Sequence, residues 1–325
     1  MGKKIETIGV LTSGGDAPGM NAAIRAVVRA GISSGLKVKG INRGYAGLLE
    51  EDIMEMGTMS VTDIVQRGGT ILFTSRCKRM MTPEGQRQAA DVCRKHGIDG
   101  IVVIGGDGSF RGAQKLSDNG INTIGIPGTI DLDIACTEYT IGFDTACNTA
   151  MEAIDKVRDT SASHERCSII EVMGRTAGHI ALWCGISNGS EYVLVPERKD
   201  ENAEDEIIQK ILSKRRIGKK HHIIVNAEGI GNSHEMAKRI EAATGIETRA
   251  TVIGHIQRGG NPTCRDRVYA SAMGAQAVDL LLEGKTNRVV AYRDGGFTDY
   301  DIDQALAMTK DIDEHLYSMT KRLSR

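Results

Sequence analysis

Four short segments concentrate the residue types that phosphoryl chemistry needs. Gly105-Gly106-Asp107-Gly108-Ser109 sets one carboxylate among glycines. Backbone without side chains lets a polyphosphate approach closely, and the acid suits Mg²⁺, a hard cation that prefers oxygen ligands. Pro127-Gly128-Thr129-Ile130-Asp131-Leu132-Asp133 carries two acids two residues apart. In an extended chain Asp131 and Asp133 point to one side and Leu132 to the other, which gives one site two carboxylates; such pairs also occur in ordinary surface turns. Thr12-Ser13-Gly14-Gly15-Asp16 is a glycine-rich turn that matches neither the P-loop nor the dinucleotide fingerprint. It reads equally as a phosphate cradle or as a tight connection. Gly254-His255-Ile256-Gln257-Arg258-Gly259-Gly260, preceded by Thr248-Arg249-Ala250-Thr251, gathers donors for a phosphate monoester. Met173-Gly174-Arg175 and Ala162-Ser163-His164-Glu165-Arg166 supply two further arginines.

Short apolar runs at 7–12, 37–42, 101–106, 123–128, 168–174, 192–197 and 222–229 alternate with longer helical patterns. Near-continuous β-branched runs of this length read as strands buried on both faces, hence as mostly parallel sheets. Ligands bind beyond the carboxyl ends of the strands in such sheets, and the segments at 12–16, 105–109 and 127–133 all lie there. A helix is expected to start at Asp16-Ala17-Pro18-Gly19 and run through Ala30, and another to span about 145–158. Arg25 and Arg29 stack on one face of the first, either as an anion site or as a solvated basic face. Residues 198–221 are charge-dense around Ile207, Ile208, Ile211 and Leu212, the pattern of a solvated amphipathic helix.

Composition sets the frame. A chain of 325 residues with 40% hydrophobic content is long for one core and predicts two domains. The 39 glycines against 5 prolines and 4% aromatics point to many strand-to-helix turns and to small-molecule chemistry. A net charge of -1 gives no global footprint for nucleic acid. Seven cysteines without C-x-x-C spacing indicate neither a zinc site nor a disulfide framework. The N-terminal apolar run turns within a few residues, too short for a signal peptide or membrane span, so a cytoplasmic location is expected.

Together GVLTSGGDAPGMNAAIR, VVIGGDGS, GIPGTID, RDTSASHER, EVMGR and ETRATVIGHIQRGG resemble the bacterial ATP-dependent 6-phosphofructokinases over essentially the whole chain. GGDG alone also occurs in NAD kinases and lipid kinases, whereas the combination in this order is specific. The resemblance implies two Rossmann-like three-layer α/β/α domains with mostly parallel sheets. Residues 1–140 plus 257–304 would bind Mg-ATP, and 141–256 plus 305–325 fructose 6-phosphate. By the same resemblance Gly15, Tyr45, Arg76, Cys77, Gly106, Gly108, Ser109 and Gly112 contact ATP, and Asp107 binds Mg²⁺. Thr129, Asp131, Asp133, Met173, Gly174, Arg175, Glu228, His255 and Arg258 hold the sugar phosphate, with Arg166 and Arg249 reaching in from a neighbouring subunit of a homotetramer. Asp131 would act as base on the sugar 1-hydroxyl while Arg76 and Arg175 offset phosphoryl charge. The implied product is fructose 1,6-bisphosphate, formed in the committed step of glycolysis. An interface site for ADP or phosphoenolpyruvate is implied at Arg25, Arg29, Arg158, Gly189, Glu191 and Lys219.

Departures from the family pattern are Leu132, where an asparagine is usual, Thr58 and Ile217, where an arginine and a lysine are usual, and His179, where an acid is common. Pleat alternation turns Leu132 away from the acids, so these are expected to keep their roles. Diphosphate-dependent relatives usually carry Asp and Lys where this chain has Gly108 and Gly128, so the two glycines favour ATP. The alternatives are a diphosphate-dependent enzyme and a non-catalytic sugar-binding sensor, which needs neither Asp107 nor a base.

Overall fold

Alternating strand and helix segments build two sheets in the computed structural model, which describes residues 5–323. One unit runs to Ile130 and also takes Ile134–Thr145 and Arg258–Lys310. The other takes Asp131–Asp133, Ala146–Gln257 and the chain from Asp311.

The first unit comprises β1 (Thr7–Thr12), α1 (Met20–Ser33), β2 (Lys37–Ile41), α2 (Gly44–Leu49), β3 (Ile53–Met56), α3 (Pro83–Lys95), β4 (Gly100–Gly105), α4 (Asp107–Asp118) and β5 (Asn122–Pro127). The helix α5 (Phe143–His164) leads into the second unit, with β6 (Cys167–Val172), α6 (His179–Ser187), β7 (Tyr192–Leu194), α7 (Ala203–Arg216), β8 (His222–Ala227), α8 (Ser233–Thr244) and β9 (Thr248–Val252). The chain then returns to the first unit as α9 (Cys264–Leu282), β10 (Arg288–Arg293), β11 (Gly296–Asp301) and α10 (Ile302–Ala307), and it finishes on the second with α11 (Glu314–Leu323).

The first sheet has the order β11-β10-β5-β4-β1-β2-β3, parallel except for the outermost pair at each edge. β1 and β4 are buried along their whole length, as their β-branched runs require. One face packs on α2, α3, α4 and α10, the other on α1 and α9. The second sheet, β7-β8-β6-β9, is wholly parallel. Ile169, Ile224 and Leu194 pack on Ile207 and Ile211 of α7 and on Met236 and Ile240 of α8. Both units therefore have the expected α/β layering, and α7 has the expected buried Ile207 and Ile211.

Two expectations fail locally. Gly19, at φ 108, ends a turn and α1 begins only at Met20, so Asp16 and Pro18 lie outside the helix. Leu132 has φ 57, in the left-handed region. The segment at 131–133 is thus bent, and pleat alternation is not what sets the directions of its acids.

Candidate active site

Backbone turns of the first unit meet at the carboxyl ends of β1 and β4. The Ser13 N–H donates to the Ile104 carbonyl (2.9 Å), and the Ser109 hydroxyl donates to the Ser13 carbonyl (3.0 Å), so the two glycine turns are bonded to each other. The loop carrying Arg76 and Cys77 is tied to the first turn: the Thr74 hydroxyl donates to the Gly14 carbonyl (2.8 Å), and the Thr12 hydroxyl to the Phe73 carbonyl (2.6 Å). Asp107 is the first residue of α4 and is exposed, and Gly106 and Gly108 beside it border open space. First-turn N–H groups and the positive helix end suit phosphate oxygens here. No cluster of three or more His, Cys, Asp or Glu that could hold a metal exists among the described residues. A divalent cation at Asp107 would complete its shell with phosphate oxygens and water, the habit of Mg²⁺.

In the second unit Arg175 lies just beyond β6, exposed, on a turn clasped by side-chain acceptors. The Gln257 side-chain carbonyl accepts the Met173 N–H (2.8 Å), and the Glu228 carboxylate accepts the N–H groups of Gly174 (3.2 Å) and Arg175. Glu197 accepts the Gly178 N–H through both oxygens, at 2.9 and 3.1 Å. Glu228, expected to hold sugar, therefore commits one oxygen to the turn. Just before the edge strand β9, Glu247 bridges two of the expected arginines, accepting from Arg166 (2.7 Å) and from Arg249 (2.9 and 2.6 Å). Hydrogen bonds from Arg166 and then Arg249 hold its carboxyl below the usual range. His255 is exposed in the turn after β9.

The phosphofructokinase family model matches residues 7–281. An ATP-dependent 6-phosphofructokinase of Clostridium botulinum (strain Hall) is 57% identical over 321 residues, covering 99% of this chain and all of the relative. One from Thermoanaerobacter sp. (strain X514) is 58% identical over 322 residues, covering 98% of this chain and all of the relative. The chain belongs to the phosphofructokinase family. Among solved structures, phosphofructokinase from Saccharomyces cerevisiae superposes with a TM-score of 0.86 at 32% identity, covering 98% of this chain; this chain spans about half of the yeast one (48%).

Several expected phosphofructokinase site residues serve the loops rather than opening onto them. Tyr45, expected at the nucleotide, is 4% exposed, and its hydroxyl donates to the Ser109 carbonyl (2.6 Å). Gly112 admits that ring, since a Cβ there would lie 2.5 Å from it. Both support the Asp107 loop from behind. Ser109 is buried, its hydroxyl spent on Ser13. Arg258 belongs to the first unit, where its Nη1 donates to the Asp16 carbonyl (3.0 Å); a Cβ on Gly15 would lie 2.6 Å from that nitrogen. Gly128 faces Ile104 and Met20, at 3.0 and 3.2 Å from an added Cβ, so packing also favours a small residue there. Asp131 is buried and Asp133 half-buried.

Around segment 188–191 the second unit gathers four of the expected effector residues. Arg158 donates to the Asn188 carbonyl, Gly189 is left-handed (φ 58), and buried Glu191 pairs with Lys219 while accepting the Ile223 N–H (2.6 Å). Burial raises the Glu191 pKa, but the bonds from Lys219 and Ile223 outweigh it and leave the carboxyl low. Arg25 and Arg29 lie on α1 of the first unit, half-buried and exposed. Sequence reasoning missed Gln257, Glu247 and Asp266. The last, fully buried, accepts from the Tyr139 hydroxyl (2.6 Å) and the N–H groups of Gly142 (2.7 Å) and Thr145 (2.9 Å), fixing the start of α5. Gln257 and Asp266 carry signal only through long-range contacts, and Glu247 joins a local partner, Arg249, to a distant one, Arg166.

Proposed function

We propose that the chain is an ATP-dependent 6-phosphofructokinase that phosphorylates the 1-hydroxyl of fructose 6-phosphate. What carries this reading is the combination of bonded glycine turns around exposed Asp107 with a strand-end arginine turn, in a chain 57% identical over 99% of its length to an enzyme of that name. The first unit serves as the nucleotide domain and the second as the sugar-phosphate domain. Gly15, Gly106, Gly108 and the first turn of α4 receive the polyphosphate, with Arg76 and Cys77 on the adjoining loop. Mg²⁺ bound at Asp107 supplies charge neutralisation on the phosphate oxygens. Asp131 accepts the proton of the sugar 1-hydroxyl as that oxygen attacks the γ-phosphorus in line, and Asp133 and Thr129 line its loop. Arg76 and Arg175 offset the charge of the transferring γ-phosphoryl group as ADP leaves. Met173, Gly174, Glu228, His255 and Arg258 complete the sugar-phosphate grip.

The active form is a homotetramer in which Arg166 and Arg249 serve a neighbouring subunit. Support comes from β9, a sheet edge that carries Arg249 and where Val252 is 48% exposed, and from Ile256 in the turn after it, 68% exposed. ADP and phosphoenolpyruvate act at the Arg158, Glu191 and Lys219 cluster with Arg25 and Arg29. The enzyme works in the cytoplasm. No helix among the described residues is long and apolar enough to cross a membrane, and no cysteine there forms a disulfide.

A steady-state assay of ATP against diphosphate across sugar phosphates tests the reading. Turnover of fructose 6-phosphate with ATP and none with diphosphate is expected. Turnover with diphosphate alone would overturn the donor, and sugar binding without ATP consumption would leave a sensor. The open space at Gly108 favours ATP, since an acid side chain there would occupy it.

A further inference from the structure

The phosphate-donor pattern uses His255 and Arg258 and gives Gln257 no task. Gln257 is nevertheless fully buried in a turn whose neighbours His255 and Ile256 are exposed. Burying a carboxamide is unfavourable unless its atoms are bonded, so a position that only filled space would carry an apolar side chain. Its oxygen accepts the Met173 N–H at 2.8 Å, and because that N–H can only donate, the orientation of the amide is fixed. Its Nε2 stays buried without a partner among the described residues, so the site gives up one favourable bond to make the other. The bond secures the start of a turn that needs securing. Gly174 has φ 147 and Arg175 φ 57, a left-handed conformation that a side-chain-bearing residue keeps only when its surroundings hold it. Glu228 takes the next two N–H groups.

We propose that Gln257 is a positioning residue. Its carboxamide ties the Met173–Gly174–Arg175 turn to the segment bearing His255, so that the Arg175 guanidinium is presented in one direction. The proposal rests on the reading of Arg175 as a ligand of the reacting sugar phosphate.

The test is a double-mutant cycle on the full enzyme, with kcat and KM measured separately for fructose 6-phosphate and ATP. Gln257→Leu keeps the shape and removes the acceptor. It is expected to lower kcat/KM for fructose 6-phosphate by about 10- to 100-fold, as small misplacements of a binding group do, with KM for ATP changed less than about twofold. In an Arg175→Ala background the same change should cost nothing further. Normal sugar kinetics in Gln257→Leu, or an equal added loss in the Arg175→Ala background, would overturn the positioning role alone. Near-normal kinetics in Arg175→Ala would overturn the reading of Arg175 and the proposal with it. If Gln257→Leu does not fold, Gln257→Asn, one methylene too short to reach Met173, is judged by the same outcomes.

Discussion

Asp131 is a buried acid on a loop, and its proposed work is one proton transfer. General bases contribute about 10²- to 10⁴-fold, so Asp131→Ser is expected to lower kcat by at least about 10² while sugar-phosphate binding stays measurable by calorimetry. Near-normal turnover would remove Asp131 from the mechanism. Leu132 beside it holds two opposed terms. A left-handed backbone costs a branched residue about 1–2 kcal/mol. Burying a leucine returns about 2 kcal/mol, and Leu132 is 6% exposed. Asparagine tolerates the backbone but forfeits the burial. Leu132→Asn should therefore shift stability by less than about 1 kcal/mol and leave kcat within a few-fold, read from urea unfolding and initial rates. The site motifs were legible because GGDG, D-x-D and clustered arginines declare their chemistry in residue type. The backbone of Leu132 was not, because no local signal in leucine announces a positive φ. Tyr45, placed at the nucleotide by the resemblance alone, gives no local sign of its burial or of its bond to the Ser109 carbonyl.

Strands that are buried on both faces could be read directly from their apolar runs. β3, β9, β10 and β11 could not, because they lie at or near sheet edges and mix polar with apolar residues. One cue was overlooked: Asp294-Gly295, both at positive φ (52 and 79), forms the two-residue turn that joins β10 to β11. β8 carries a consequence for pH. His222 is fully buried, and neither ring nitrogen has a partner among the described residues. Burial, partly offset by Glu191 and reinforced by Lys219, Lys214 and His221, pushes its pKa from 6.5 down to about 4. Between those values the unfolded chain binds a proton that the folded chain refuses. Stability is thus full above about pH 6.5 and falls as the pH drops toward 4. The expected loss between pH 7 and 5 is about 2 kcal/mol. Urea unfolding at both pH values checks it, and His222→Leu should flatten the dependence; an unchanged slope would exonerate this residue.

If Arg249 completes a neighbour's site, defects on opposite sides of that contact should rescue each other. Asp131→Ser and Arg249→Ala enzymes, each nearly inactive, are expected to regain activity when denatured and refolded together, since some hybrid sites then contain both native residues. No gain over the separate preparations would show that each subunit works alone. The two-domain, mostly parallel architecture was legible at this scale because composition and strand periodicity both demand it. The repeated exchange of chain between units was expected from the family resemblance alone, because nothing in the composition or spacing of residues 258–310 marks a return. That exchange also sets an order in time. The stretch from Ala146 to Gln257, which holds every strand of the second sheet, leaves the ribosome unbroken. β5, by contrast, must wait for β10 until synthesis has passed from Pro127 to Arg288, roughly 10 to 30 s at ordinary translation rates. During synthesis the later-encoded sheet is therefore finished first, while the nascent first sheet still has an open edge at β5.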